Sequence, residues 1–162
     1  MAFVAGCAGG ARPRGTVRSG LVPHDEYFGL VRALLARVER AEAAVVAKEL
    51  LEPPSGVRVR VQGEGPAALA EVSGEVDDKT RLRTLLAAED LANAPVQMDA
   101  VAGEAEALLA KSEPLRREAM LIPFRQAALH AAHADALALL RELPERARKA
   151  AQAARDLLQK LR

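Results

Sequence analysis

At 162 residues, half of them hydrophobic, the chain is one domain, or one domain plus a tail, long enough to bury a moderate core. With no Trp, one Tyr and three Phe, that core must be Leu, Val and Ala, which favours helix-on-helix packing over an aromatic-rich sandwich. A single Cys excludes an internal disulfide framework and a Cys-based zinc site, and no apolar run approaches the roughly 18 residues needed to span a bilayer.

The net charge of +1 hides an asymmetry. Residues 1–23 carry three Arg and no acid; residues 24–143 carry 14 Lys/Arg against 20 Asp/Glu; residues 144–162 carry six Lys/Arg against two acids. An acidic body with basic ends suits ends that dock on an acidic partner, on phosphates, or on the chain's own body.

Residues 1–23 are rich in Gly and Arg and have neither helical nor strand period, which reads as a disordered tail. Two sharper readings compete. An Arg-bearing, acid-free N-terminus is also that of an organellar transit peptide, although Ser is sparse. Val4-Ala5-Gly6-Cys7 resembles the lipobox of bacterial lipoproteins, whose Cys is lipid-modified after cleavage; here the apolar signal core before it is missing unless the true start lies upstream.

Residues 24–51 are expected to form the first helix. Asp25 and Glu26 sit where the helix dipole favours negative charge, and Pro53-Pro54 ends it. Tyr27, Val31, Leu34, Val38, Ala41 and Val45 step by 4 and 3, a heptad seam flanked by Phe28 and Leu35. Over 57–76 the period changes: Val57, Val59 and Val61 alternate with Arg58 and Arg60, and Ala70, Val72 and Val76 alternate with Glu71, Ser73 and Glu75. That pattern predicts a small β-hairpin with cross-strand Arg–Glu pairs, the alternative being an irregular loop. Two strands are marginal alone in water, so a hairpin here must lie on the helices.

A helix restarts with Asp77 or Asp78 as N-cap before Leu82, Leu85, Leu86 and Ala92, and Asn93-Ala94-Pro95 is expected to kink or turn it. The pattern resumes at Met98, Val101, Ala105 and Leu108. Ser112 to Leu143 carries the longest helical signal: Ser112 reads as its N-cap, Pro114 sits in its first turn, and Pro144 stops it. Pro123 inside it implies a kink. Leu129, Ala132, Ala136, Leu139 and Leu143 form its seam. Residues 145–162 give a last amphipathic helix with Leu157 and Leu161 on its apolar face and Arg146, Arg148, Lys149, Arg155, Lys160 and Arg162 mainly elsewhere.

Few residues carry chemistry. His130 and His133 lie three apart on one helix, so both rings can reach a single metal, but neither H-E-x-x-H nor paired Glu-x-x-His is present, and each His falls one residue off the seam, a boundary position with a wet ring. Gly74 to Lys79-Thr80 differs from a phosphate-binding loop because Asp78, not Gly, precedes the Lys. No Ser has a nucleophile-elbow context and Cys7 lies in the tail, so catalysis is not expected and no cofactor is implied. The basic C-terminal helix can meet phosphates or an acidic surface, but no aromatic stands among its cations, which argues against nucleic acid and against lipid, save through Cys7.

These readings converge on an all-α, elongated antiparallel bundle or coiled-coil-like array of four or five helices over 24–162. The expected role is a non-catalytic structural or scaffold subunit in the cytoplasm, with an organelle or the periplasm as alternatives. Its seam residues Tyr27, Val31, Leu34, Val38, Leu129, Leu139, Leu143, Leu157 and Leu161 would engage another helical chain or a second copy. The alternatives are an envelope lipoprotein and a phosphate-binding module using the C-terminal helix.

Overall fold

A computed structural model describes residues 19–122 and 126–162. The tail, with its transit-peptide and lipobox readings, and the kink expected at Pro123 lie outside these residues. The element order is α1 (Val22–Val45), α2 (Lys48–Leu51), β1 (Arg58–Gln62), a 3-10 turn (Gly65–Ala67), β2 (Leu69–Ser73), α3 (Asp78–Met120) and α4 (Gln126–Lys160). Three long helices pack against one another beside a two-stranded antiparallel sheet. The bundle with a small hairpin is therefore as the composition predicts, but with three long helices and one short one rather than four or five.

α1 begins with Pro23 in its first turn, where a missing N–H is harmless. Asp25 folds back so that Ser19 N and Oγ donate to its carboxylate at 2.7 and 2.8 Å. Its seam of Tyr27, Val31, Leu34, Val38 and Ala41 is buried as expected, but the helix stops at Val45 instead of running to residue 51. Ala47 turns extended, and the separate turn α2 drops Leu50 into the core.

The two longest helices are divided differently from the sequence reading. α3 runs unbroken for 43 residues, through Pro95 and through Ser112-Glu113-Pro114. Asn93-Ala94-Pro95 does not interrupt it, because Pro95 is itself fully buried and its packing offsets the lost hydrogen bond. Ser112 is no N-cap: its hydroxyl donates back to Leu109 O at 2.7 Å within the helix. α3 ends at Met120, and α4 runs from Gln126 through Pro144 to Lys160, merging part of one expected helix with the next. The reason is a seam that never pauses: Leu129, His133, Ala136, Leu140, Leu143, Ala147, Ala150, Ala154 and Leu157 are buried at alternating steps of 4 and 3. Ala132 and Leu139, expected on that seam, lie at its margin.

Ion pairs set the directions. Glu106–Arg148 and Asp99–Arg155 make α3 and α4 antiparallel; His24 meeting His133 and Glu42 meeting Arg146 run α1 parallel to α4 and so antiparallel to α3, with Arg37 level with Glu104. Continuing those registers puts Lys160 opposite about residue 94 of α3 and Val45 opposite about residue 96. The first four turns of α3 therefore outrun both neighbours, yet Thr84, Ala88, Leu91 and Ala92 there are buried. What covers them is α2, the hairpin and the 3-10 turn, all in contact with α3. The hairpin pairs Arg58 with Ser73, Val59 with Val72, Arg60 with Glu71, Val61 with Ala70 and Gln62 with Leu69. Val57, Val61 and Val72 face the helices, as the alternation predicts. Gly74 closes the arrangement at φ +116°, where an added Cβ would sit 2.3 Å from Gly56 O. Asp77 caps α3 by accepting from Thr80 N at 3.0 Å.

Adjacent leucines on α4 test the seam's phase. Leu140→Ala removes a fully buried side chain and is expected to cost roughly 2–5 kcal/mol in denaturant unfolding, well above Leu139→Ala at the margin. Equal losses for the two would contradict this packing.

Candidate functional site

All three histidines of the chain belong to one region, where the start of α1 meets the first turns of α4. His24 is fully buried and His133 is 3% exposed. His24 Nδ1 and His133 Nε2 lie 2.9 Å apart, so one imidazole donates to the other. The aromatic rings of α1 close around the pair. Tyr27 stacks on His133 with centroids 5.6 Å apart, Phe28 approaches it at 4.9 Å, and His24 meets it edge-on at 5.1 Å. The boundary position expected for His133 is thus corrected: it occupies a seam position, because an imidazole with a buried hydrogen-bond partner and flat neighbours can replace an aliphatic side chain. His24 was not singled out from sequence, yet stepping the α1 seam three residues back from Tyr27 reaches it.

The electrostatics follow from burial. His133 is pushed from its ordinary 6.5 down to about 4, first by burial and then by the charges of His24, His130 and Arg116. Burial also raises the Tyr27 phenol, with Ser112 close enough to oppose the shift, although its hydroxyl is committed to Leu109 and Tyr27 Oη makes no well-formed hydrogen bond. Among the described residues, the buried polar side-chain atoms without a partner are His24 Nε2, Tyr27 Oη and His130 Nε2. Each such atom costs about 1–3 kcal/mol, so the polar strain of the fold is concentrated here.

Beside the pair lies a groove of about 260 Å³ bordered by Ser112, Glu113, Arg116, His133 and Arg141. Arg116 forks onto Glu113 at 3.0 and 3.2 Å and, with Arg117, holds that carboxyl below its usual range. The Ser112 hydroxyl donates to Leu109 O rather than to a histidine. No group of three or more His, Cys, Asp or Glu among the described residues is placed to hold a metal; of the His130 and His133 rings expected to reach one together, His133 has its Nε2 engaged by His24.

The residues expected to meet a partner face inward. Tyr27, Val31, Leu34, Val38, Leu129, Leu143 and Leu157 are buried within this chain, while Leu139 and Leu161 are half-buried at the core's edge. The basic C-terminal helix likewise docks on the acidic body. Arg146 forks onto Glu42 at 2.7 and 3.0 Å, Arg148 reaches Glu106 at 2.7 Å, and Arg155 reaches Asp99 at 2.6 Å. No helix among the described residues is long and apolar enough to cross a membrane. No protein-family model, curated protein or solved structure matches the chain.

His133 has a titration signature. His133 is harder to protonate folded than unfolded, so its contribution is complete above pH 6.5 and declines as pH falls toward 4, by on the order of 3 kcal/mol in all. Denaturant unfolding between pH 7 and 5, above most carboxylate titration, reads this slope. His133→Phe keeps a flat ring and is expected to flatten it; an unchanged slope in that variant would place the titrating group elsewhere.

Proposed function

We propose that this chain is a non-catalytic structural subunit that acts through contact with another helical chain or a second copy of itself. The bundle's seams are filled internally, so the contact surface must be sought outside them. The observation that carries the reading is where large apolar side chains remain exposed. Of ten such residues among those described, Val46, Leu51, Leu69, Leu82, Leu86 and Val96 lie on the elements at the hairpin end, where α3 outruns its neighbours. Leu82 and Leu86 stand one turn apart on α3 and are 58% and 52% exposed. Apolar groups gathered on one end of a charged protein favour association there. The sheet expected to carry cross-strand ion pairs contributes Leu69 to the same end.

Leu82 and Leu86 are the positions to change, because both are solvent-facing and their replacement leaves the core intact. Analytical ultracentrifugation of the purified chain, with cross-linked recovery of partners from the native cell, is expected to show a defined complex. Leu82→Glu with Leu86→Glu should weaken it at least roughly tenfold, the loss of about 1.4 kcal/mol of apolar contact, while circular dichroism stays unchanged. A wild-type chain that stays monomeric and recovers no specific partner sinks the reading.

A further inference from the structure

The hairpin end also carries a feature that neither the apolar positions nor the histidines explain. A groove of about 520 Å³ runs along the edge of β1 away from β2, between the hairpin and the last residues of α4. Arg58, Arg60, Lys160 and Arg162 line it, against Glu71 as the one acid on its walls. Ser73 adds a hydroxyl at the rim, and Val57, Val59 and Leu161 give it an apolar floor.

This convergence is built by the fold, since about a hundred residues of sequence separate the two pairs of cations. Strand alternation sets Arg58 and Arg60 on one face, about 7 Å apart. One backbone hydrogen bond, Val61 N to Leu161 O at 3.0 Å, then clamps the end of the chain against β1 and brings Lys160 and Arg162 alongside. That bond also orients the strand. Val61 donates away from β2, so Val59, two residues earlier, turns its N–H toward the same open edge. Glu64 steadies the corner, reaching Arg155 at 3.6 Å and Arg162 at 3.9 Å.

The cations are unequal in their commitments. On the shaft of α4, Arg146, Arg148, Lys149 and Arg155 each have a carboxylate within 2.7 Å. At the groove, Arg58, Arg60 and Lys160 form no ion pair among the described residues, although Arg60 faces Glu71 across the sheet. Four cations around one concavity, set against Glu71 on the wall and Glu64 beside Arg162, leave an excess of positive charge that favours an anion.

The geometry points to a binding site for a compact oligophosphate in this groove, with Arg58 and Arg60 on one wall, Lys160 and Arg162 on the other, and the Val59 N–H and Ser73 hydroxyl as neutral donors. Guanidinium forks match phosphate oxygens two at a time, which a diphosphate or triphosphate can satisfy from both walls together. The site relocates phosphate recognition from the C-terminal helix shaft, whose cations the acidic body neutralises, to the junction of strand and helix end. It stands apart from the structural role proposed above.

Isothermal titration of the full chain with inorganic tripolyphosphate tests it. Saturable binding at low salt is expected, weakening as salt rises. Arg58→Gln with Arg60→Gln should lower affinity at least roughly tenfold, the loss of one charge-assisted hydrogen bond or more. Arg148→Gln with Lys149→Gln, on the paired shaft, should leave it unchanged. Circular dichroism and melting confirm that each variant is folded. Vesicles bearing phosphorylated inositol lipids form a second arm: capture that depends on Arg58 and Arg60 and is displaced by tripolyphosphate assigns the same groove to a lipid headgroup. No binding in either arm, or equal binding by both double variants, overturns the proposal.

Discussion

The constraint behind the whole arrangement is that α3 carries an apolar stripe longer than any helix available to cover it. At 43 residues it extends about 64 Å, against roughly 52 Å for α4 and 36 Å for α1. Ion pairs at Glu104, Glu106 and Asp99 set the shorter helices toward its C-terminal two-thirds. Leu91, Ala88 and Thr84 would otherwise face water, and uncovered apolar surface costs about 25 cal/mol per Å². The hairpin and α2 exist at that level for this reason. A two-stranded sheet that would be marginal in isolation becomes a lid, held by Val57, Val61 and Val72 on one face and by Leu161 at its edge.

Small residues make the long contact work. Ala102 and Ala105 on α3, with Ala136, Ala147, Ala150, Ala151 and Ala154 on α4, are buried and let the two backbones approach closely. Prolines are tolerated on such a surface when the stripe passes through them. Pro95 fills a core position, and Pro144 sits beside a seam that runs on from Leu143 to Ala147. Packing along the seam outweighs the few kcal/mol that a helical proline costs.

The two ends of the bundle differ in character. At one, aromatic rings and paired imidazoles replace aliphatic packing and leave buried polar atoms unsatisfied, and burial there makes His133 harder to protonate. At the other, cations from strand and helix terminus converge beside exposed leucines. Basic termini over an acidic middle thus describe two things at once. Arg146, Arg148 and Arg155 hold the bundle together through Glu42, Glu106 and Asp99, whereas Lys160 and Arg162 border open space.

How much of this was legible depends on how local each cause is. Heptad steps through Tyr27, Val31, Leu34 and Val38, a cap at Asp77 or Asp78 and the valine alternation around Arg58 and Arg60 are short-range patterns, and sequence alone determined the helical class, while it favoured the hairpin over a loop and left docking on the acidic body as one option among three. Helix boundaries were not legible, because proline and serine signals near 95, 112 and 144 are local preferences that a continuous buried stripe overrides. Seam residues looked like partner contacts because periodicity specifies that a face is covered without saying by which chain. The pairing of His24 with His133 and the meeting of Arg58 with Lys160 join residues about a hundred positions apart. Only tertiary structure decided them, since helix lengths and registers, rather than any motif, determine which distant side chains share a level of the bundle.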